Sequence, residues 1–193
     1  MFLYFKILIF TSAIIWLFPP IRHYKQKYFW FFLVLALTDP FTIVVGRGLG
    51  LAFPQLYVLF NGLFFFSLVD YRKITFYKLI FFLVFILSGV FSFVNYWAFS
   101  YQYIVLTFSL ILFIITKSSV QFVINTGSIN IFHIVLVFYL LSNILKFWNL
   151  NAQFDTGYAL FFVTSSFQIL VGIFFSLYKE DDSKLIIKIS GEK

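Results

Sequence analysis

Cysteine is absent from this 193-residue chain, so it can hold no disulfide, no thiolate nucleophile and no thiolate metal site, and cysteine usage says nothing of its redox compartment. Charge is scarce. Only 11% of residues are Asp, Glu, Lys or Arg, seven of them acidic, against about 25% in an ordinary soluble domain. Histidine occurs twice, as His23 and His133, too far apart in sequence to suggest a zinc site. No Gly-X-Ser-X-Gly elbow is present, and Gly46-Arg47-Gly48-Leu49-Gly50 lacks both the preceding strand and the full spacing of a dinucleotide fingerprint. These absences predict a protein that is not an enzyme, with no cofactor and no metal; an intramembrane enzyme is the weakest of three functional alternatives.

What the chain has instead is apolar length. Hydrophobic residues make up 62% of it, with 32 Phe and 12 Tyr, and its mean hydropathy is +0.99. A hydrocarbon core about 30 Å thick needs about 20 apolar helical residues per crossing. The pattern predicts an all-α, polytopic bundle of seven transmembrane helices over residues 1–178, followed by a short charged cytosolic tail over 179–193. The abundant rings suit lipid-facing surfaces and the gaps between helices, and need no ligand to explain them.

The seven spans are expected over about 2–18, 28–46, 49–69, 79–97, 101–116, 129–148 and 158–178. Pro19-Pro20 is expected to stop the first, because consecutive prolines remove donors and clash with the preceding turn. The second and third are expected to form a hairpin turning through Gly46-Arg47-Gly48. Lys117-Ser118-Ser119 is expected to end the fifth, with 120–124 either extending it or lying along the surface. The first span has no small-residue cleavage site after it and reads as a retained helix, not a signal peptide.

Orientation follows from the basic residues. Eleven Lys and Arg (22, 25, 27, 72, 73, 78, 117, 179, 184, 188 and 193) fall at one set of helix ends and three (Lys6, Arg47 and Lys146) at the other. Cytoplasmic flanks are the basic ones, so the N-terminus is expected outside and the C-terminus in the cytosol. This accounts for the net charge of +7 without nucleic acid, which is not expected as a partner. Arg22, Lys25, Lys27, Arg72, Lys73 and Lys78 are the expected membrane-interface cations, facing anionic lipid or a partner. The expected location is a bacterial-type inner (plasma) membrane.

Gly62-Leu63-Phe64-Phe65-Phe66-Ser67-Leu68 in the third span matches Gly172-Ile173-Phe174-Phe175-Ser176-Leu177 in the seventh with one gap, consistent with a three-plus-one-plus-three parallel repeat. In helix number and orientation that layout resembles the SWEET-type sugar transporters and the similarly built nicotinamide riboside transporters, and Pro54-Gln55 is similar to the dipeptide of the PQ-loop families. The resemblance transfers no residue roles.

Few polar residues fall inside the spans. Asp39, in the middle of the second, costs about 2.5–3.5 kcal/mol on insertion scales and must face the bundle interior or water with a partner. It reads as a proton, cation or amine site, or as a cap on a helix broken at Pro40 or a partner of Arg47. Gly50, Pro54, Tyr57 and Asn61 share one face of the third span, with Gln55 beside it. They either line a cavity or permit close helix packing, as Gly172 would in the seventh span. His133, on a face with Asn130, and Gln168 complete the ligand or ion candidates Asp39, Gln55, Asn61, His133 and Gln168. Asn143 and Lys146 share a face near the opposite end of the sixth span, where Lys146, like Lys6, is expected to snorkel outward.

The leading expectation is a non-enzymatic membrane component, a sensor or assembly subunit binding a partner or small ligand within the bilayer. One mid-helix carboxylate is thin provision for ion coupling, which leaves uncoupled small-solute transport or facilitation as the alternative. Expected partners are the lipid bilayer, a small molecule, and another membrane protein or a second copy of the chain.

Overall fold

The computed structural model describes residues 2–69, 76–152 and 157–189. Asp70, Arg72 and Lys73 lie outside these, as do the side chains of Lys6 and Arg47, so the proposed Asp39–Arg47 pairing does too. The chain is almost wholly helical: α1 Phe2–Trp16, α2 Phe18–Arg22, α3 Phe29–Leu49, α4 Phe53–Leu68, α5 Phe76–Val94, α6 Tyr96–Thr126, α7 Ile131–Ala152 and α8 Gly157–Leu177. Two three-residue strands, β1 Ser128–Asn130 and β2 Ile186–Lys188, pair antiparallel with Ser128 opposite Lys188. Four helices (α3, α6, α7 and α8) are long and apolar enough to cross a membrane, and 7–22, 53–68 and 78–94 are shorter apolar helices.

Helix ends follow local chemistry and correct several expectations. The first span stops before Pro19-Pro20 as expected, α1 ending at Trp16, and the prolines themselves sit in the first turn of α2, where a missing N–H costs nothing; both are buried. The turn after α3 comes at Gly50, whose φ of +65° is the left-handed cap that glycine adopts at least cost. Gly50 thus ends α3 and is not part of a packing face. Pro54 opens α4 and kinks nothing. Lys117-Ser118-Ser119 does not stop α6, which has no Gly or Pro before Gly127 and runs unbroken for 31 residues, about 46 Å at 1.5 Å per residue. It is therefore longer than a hydrocarbon core of about 30 Å. Gly127, at φ +60°, caps it.

Pro40 lies inside α3 as expected. Proline removes a donor from the ladder. Thr38 donates to the Val34 carbonyl (2.8 Å) and Thr42 to the Thr38 carbonyl, so the hydroxyls flanking Pro40 both bond to backbone carbonyls on its N-terminal side.

Six helices form a closed ring in which α1 packs on α3, α3 on α4, α4 on α6, α6 on α7, α7 on α8 and α8 back on α1; α5 lies outside it against α4 and α6. The α1–α8 seam is close because residue 172 is glycine. A Cβ there would stand 2.8 Å from Ile15 Cγ2 and 3.3 Å from Trp16 Cε2.

The tail is ordered against the basic end of the ring. Asp182 accepts from the Lys184 amide at the start of a single 3-10 turn, and Leu185 is buried. The chain then pairs with β1, and the Ile189 amide donates to the Gly127 carbonyl (2.9 Å). The described part of the short charged tail is a clasp built on the α6–α7 connection.

Candidate functional site

Inside the ring, at the end away from most of the basic residues, lies a cavity of about 760 Å³. Its walls come from the second half of α3, the first half of α4, the start of α6, the second half of α7, the first half of α8, and α1. Antiparallel neighbours contribute opposite halves, so all these segments meet at one end of the bundle. Among the described residues none from α5 lines it.

One wall is acidic. Asp39 on α3 is half-buried and accepts a hydrogen bond from the Tyr57 hydroxyl on α4 (2.9 Å). One turn beyond Tyr57, Asn61 is wholly buried and lines the cavity; its Nδ2 donates to the Tyr57 carbonyl (2.8 Å), while its Oδ1 has no partner. An unmet buried acceptor costs about 1–3 kcal/mol.

The facing wall is amide and cation. Gln168 on α8 donates through Nε2 to Asn143 Oδ1 on α7 (3.1 Å), and Asn143 donates to the Tyr139 carbonyl (2.9 Å). Lys146, one turn past Asn143, is half-buried, lines the cavity and places Nζ 4.6 Å from the centre of the Phe161 ring. It turns inward, where snorkelling was expected. Between the two walls, Tyr57 and Phe147 bring their rings to 5.7 Å.

Toward the basic end the cavity stops on rings. Trp16 and Tyr139, 4.9 Å apart, belong to its lining. Beneath them Phe32, Phe132 and Phe175 are fully buried, with Phe175 4.9 Å from each of the other two. His23 continues this packing, 4.6 Å from Phe32 and 5.3 Å from Phe132.

Of the five candidates read from sequence, Asp39, Asn61 and Gln168 line this cavity. Gln55 does not. Its Oε1 accepts from the Ala52 amide (3.0 Å) and its Nε2 donates to the Phe93 carbonyl (3.2 Å), so it caps α4 and ties it to the end of α5. His133 stands at the opposite end, with Nε2 2.9 Å from Glu180 Oε1, and Asn130 beside it donates to the Glu180 carbonyl (2.8 Å). Both hold the tail. Tyr57 was legible only as a stripe residue, and its bond to Asp39 needed the fold. The sequence places Asn143 and Lys146 on one face, and the fold adds that this face lines the same cavity as Asp39.

Near the clasp, His23 presents Nδ1 to Gln26 Oε1 (2.9 Å) and Nε2 to the Phe175 carbonyl (3.1 Å), and Gln26 Nε2 donates to Asp181 (3.2 Å). Burial pulls the His23 pKa below the usual imidazole range, although both hydrogen bonds favour the charged ring. Among the described residues no group of three or more His, Asp or Glu could hold a metal ion. No family model, curated protein or solved structure matches the chain. The cavity's own chemistry is therefore the basis for a functional reading.

Proposed function

We propose that this chain is a seven-span integral membrane protein that binds a small ligand in a cavity open toward the extracytoplasmic side, acting as a non-enzymatic component of the sensor kind. The observation that carries this reading is the one-ended cavity. Its polar groups gather at one end of the ring, and the other end is filled by Phe32, Phe132 and Phe175. A binding site needs one mouth; a transport path needs two. The basic residues at the closed end and the positive-inside tendency favour a cytosolic position for the tail, in a bacterial-type inner membrane.

The rival is facilitated passage of a small neutral solute, which requires the ring plug to open. Liposomes carrying the purified protein decide between them. The expected result is no solute uptake above empty vesicles by wild type, together with ligand-dependent thermal stabilisation that Asp39→Asn removes. Uptake by wild type that disappears in Asp39→Asn overturns the sensor reading. A reporter fused at Lys193 is expected to be active on the cytosolic side; an extracytoplasmic signal overturns the orientation.

A further inference from the structure

The cavity carries one charge of each sign, and the two do not meet. Among the described residues the only ion pair within 4 Å joins His133 and Glu180 at the far end, so Asp39 and Lys146 stand apart across the same space. Their companions are uncharged: a tyrosine hydroxyl for Asp39 and a phenylalanine face for Lys146.

Such an arrangement is costly unless something completes it. Ionised groups among apolar walls lose much of their hydration, and one hydrogen bond or one ring face restores little of it. Direct contact between the two would be the simplest internal remedy. Tyr57 holds the Asp39 carboxylate on the α4 side, while the Phe161 ring holds the ammonium on the α8 side. The unpartnered Asn61 Oδ1 in the acidic wall is a second, independent shortage, of a donor, on the side where Asp39 also needs one. A ligand supplying donors and positive charge there, and an anionic group to Lys146, meets both walls at once.

We propose, on the reading that this cavity is a ligand site, that its ligand is a zwitterion: a primary or secondary ammonium seated by Asp39 and the Asn61 side of the wall, and a carboxylate or phosphate seated by Lys146. Much of the remaining lining is apolar, rings such as Trp16, Phe64, Phe108 and Phe147 above all, so the ligand also carries an apolar portion. An amino acid with a large side chain has this chemistry, and so does a single-chain ethanolamine phospholipid. The second source gains from an apolar furrow of about 530 Å³ between α1 and α8, lined by Tyr4, Ile7, Thr11, Phe162 and Ile169, which shares Leu8 with the cavity. A hydrocarbon chain leaving the cavity past Leu8 would lie in it.

The test compares charge types within a soluble series on one carbon frame and within an amphiphile series, using the full-length protein in nanodiscs of phosphatidylglycerol. L-phenylalanine, phenethylamine and hydrocinnamate form the soluble series; lysophosphatidylethanolamine, dodecylamine and dodecanoate form the amphiphile series. Affinity is read by thermal shift and by titration calorimetry. The zwitterion of one series is expected to bind at least tenfold tighter than either of its single-charge analogues, and the series in which this happens names the source. Asp39→Asn and Lys146→Gln are each expected to reduce that preference to under threefold while leaving a monodisperse elution profile. Should either variant fail to fold, the wild-type comparison still decides. Equal binding of a zwitterion and a single-charge analogue overturns the zwitterion while leaving the cavity a ligand site; no binding by any of the six at millimolar concentration overturns both.

Discussion

The two ends of the bundle are built from the same helices and spend their side chains differently. At the basic end, Phe32, Phe132, Phe175 and Leu136 fill the interior at zero exposure, and polar groups tie the elements together, His23 to Phe175 and Gln26, Asn130 and His133 to Glu180, although the buried Tyr28 hydroxyl and His133 Nδ1 have no partner. At the other end α3, α7 and α8 turn to Asp39, Asn143, Lys146 and Gln168 around open space, with an acceptor unmet on α4. The first region is packed with rings and the second holds polar groups around open space. Proteins accept local cost where a ligand is to be met and recover it in packing elsewhere, and here the division runs along each helix instead of between helices.

That comparison breaks most visibly if the packed end is hollowed. Phe132→Ala removes a ring that touches Phe175 and His23 at the centre of the plug and is expected to cost about 3–5 kcal/mol, enough to lower folded yield sharply. Phe64→Ala, which enlarges a cavity already there, is expected to cost less. Melting temperatures in detergent measure both. Equal losses would mean that the two ends are not differently built.

A smaller effect is expected where the seam between α1 and α8 closes on Gly172. A methyl group there meets Ile15 and Trp16 below ordinary contact distance, so Gly172→Ala is expected to cost about 1–3 kcal/mol by overpacking and to shift Trp16 against the cavity floor. Gly48→Ala, with open space around it, provides the control. Tryptophan fluorescence of the two variants, read beside their melting curves, shows whether the seam moves; identical spectra and melts would remove Gly172 from the packing argument.

How much of this was legible in the sequence depended on whether the decisive interaction was local. Apolar runs gave the helices, because burial in hydrocarbon is a property of the run itself. Helix ends were less readable: Pro19-Pro20 marks the stop of α1 but not the short helix α2 that it opens, and Lys117-Ser118-Ser119 looks polar enough to end a helix that continues until glycine permits the cap at 127. At the site, the charge inside a span marked Asp39, and polarity inside spans marked Asn61 and Gln168. Gln55 carried the same mark, yet its partners are the amide three residues back and a carbonyl on α5. Lys146 was misread because a lysine near a helix end ordinarily reaches outward; only the ring of helices puts it opposite Asp39. The tail was unreadable as structure, since β2 exists through its pairing with β1, nearly sixty residues away.

The clasp offers a third contrast, between a docked and a released tail. Glu180→Gln keeps the size of the side chain and removes its charge from His133, which is itself almost fully buried. A single hydrogen bond of this kind contributes about 1 kcal/mol. The expected result is faster hydrogen exchange at the Ile189 amide and earlier proteolysis in 179–189, with the melting temperature of the bundle little changed. A loss of global stability as large as that from Phe132→Ala would show the tail to be part of the plug.

The smallest effect expected is that of pH, and its sign is set by His23. Burial holds the folded-state pKa of this ring below its unfolded value of about 6.5. The unfolded chain therefore takes up a proton first as pH falls, so the stability contributed by the neutral ring is fully present above about pH 6.5 and declines as the solution is acidified below it. The groups facing His23 modulate this without reversing it: Glu180 and the acceptors on Gln26 and Phe175 favour the charged ring, while Lys179 opposes it. Wild type is thus expected to melt a few degrees lower at pH 5 than at pH 7.5, and His23→Gln, which cannot be protonated, is expected to flatten that slope. Were the wild-type melting point to rise on acidification, the imidazolium would be the form that the packed end prefers, held by the Phe175 carbonyl and Gln26 together, and His23 would belong with Asp39 and Lys146 among the charges that this fold keeps inside.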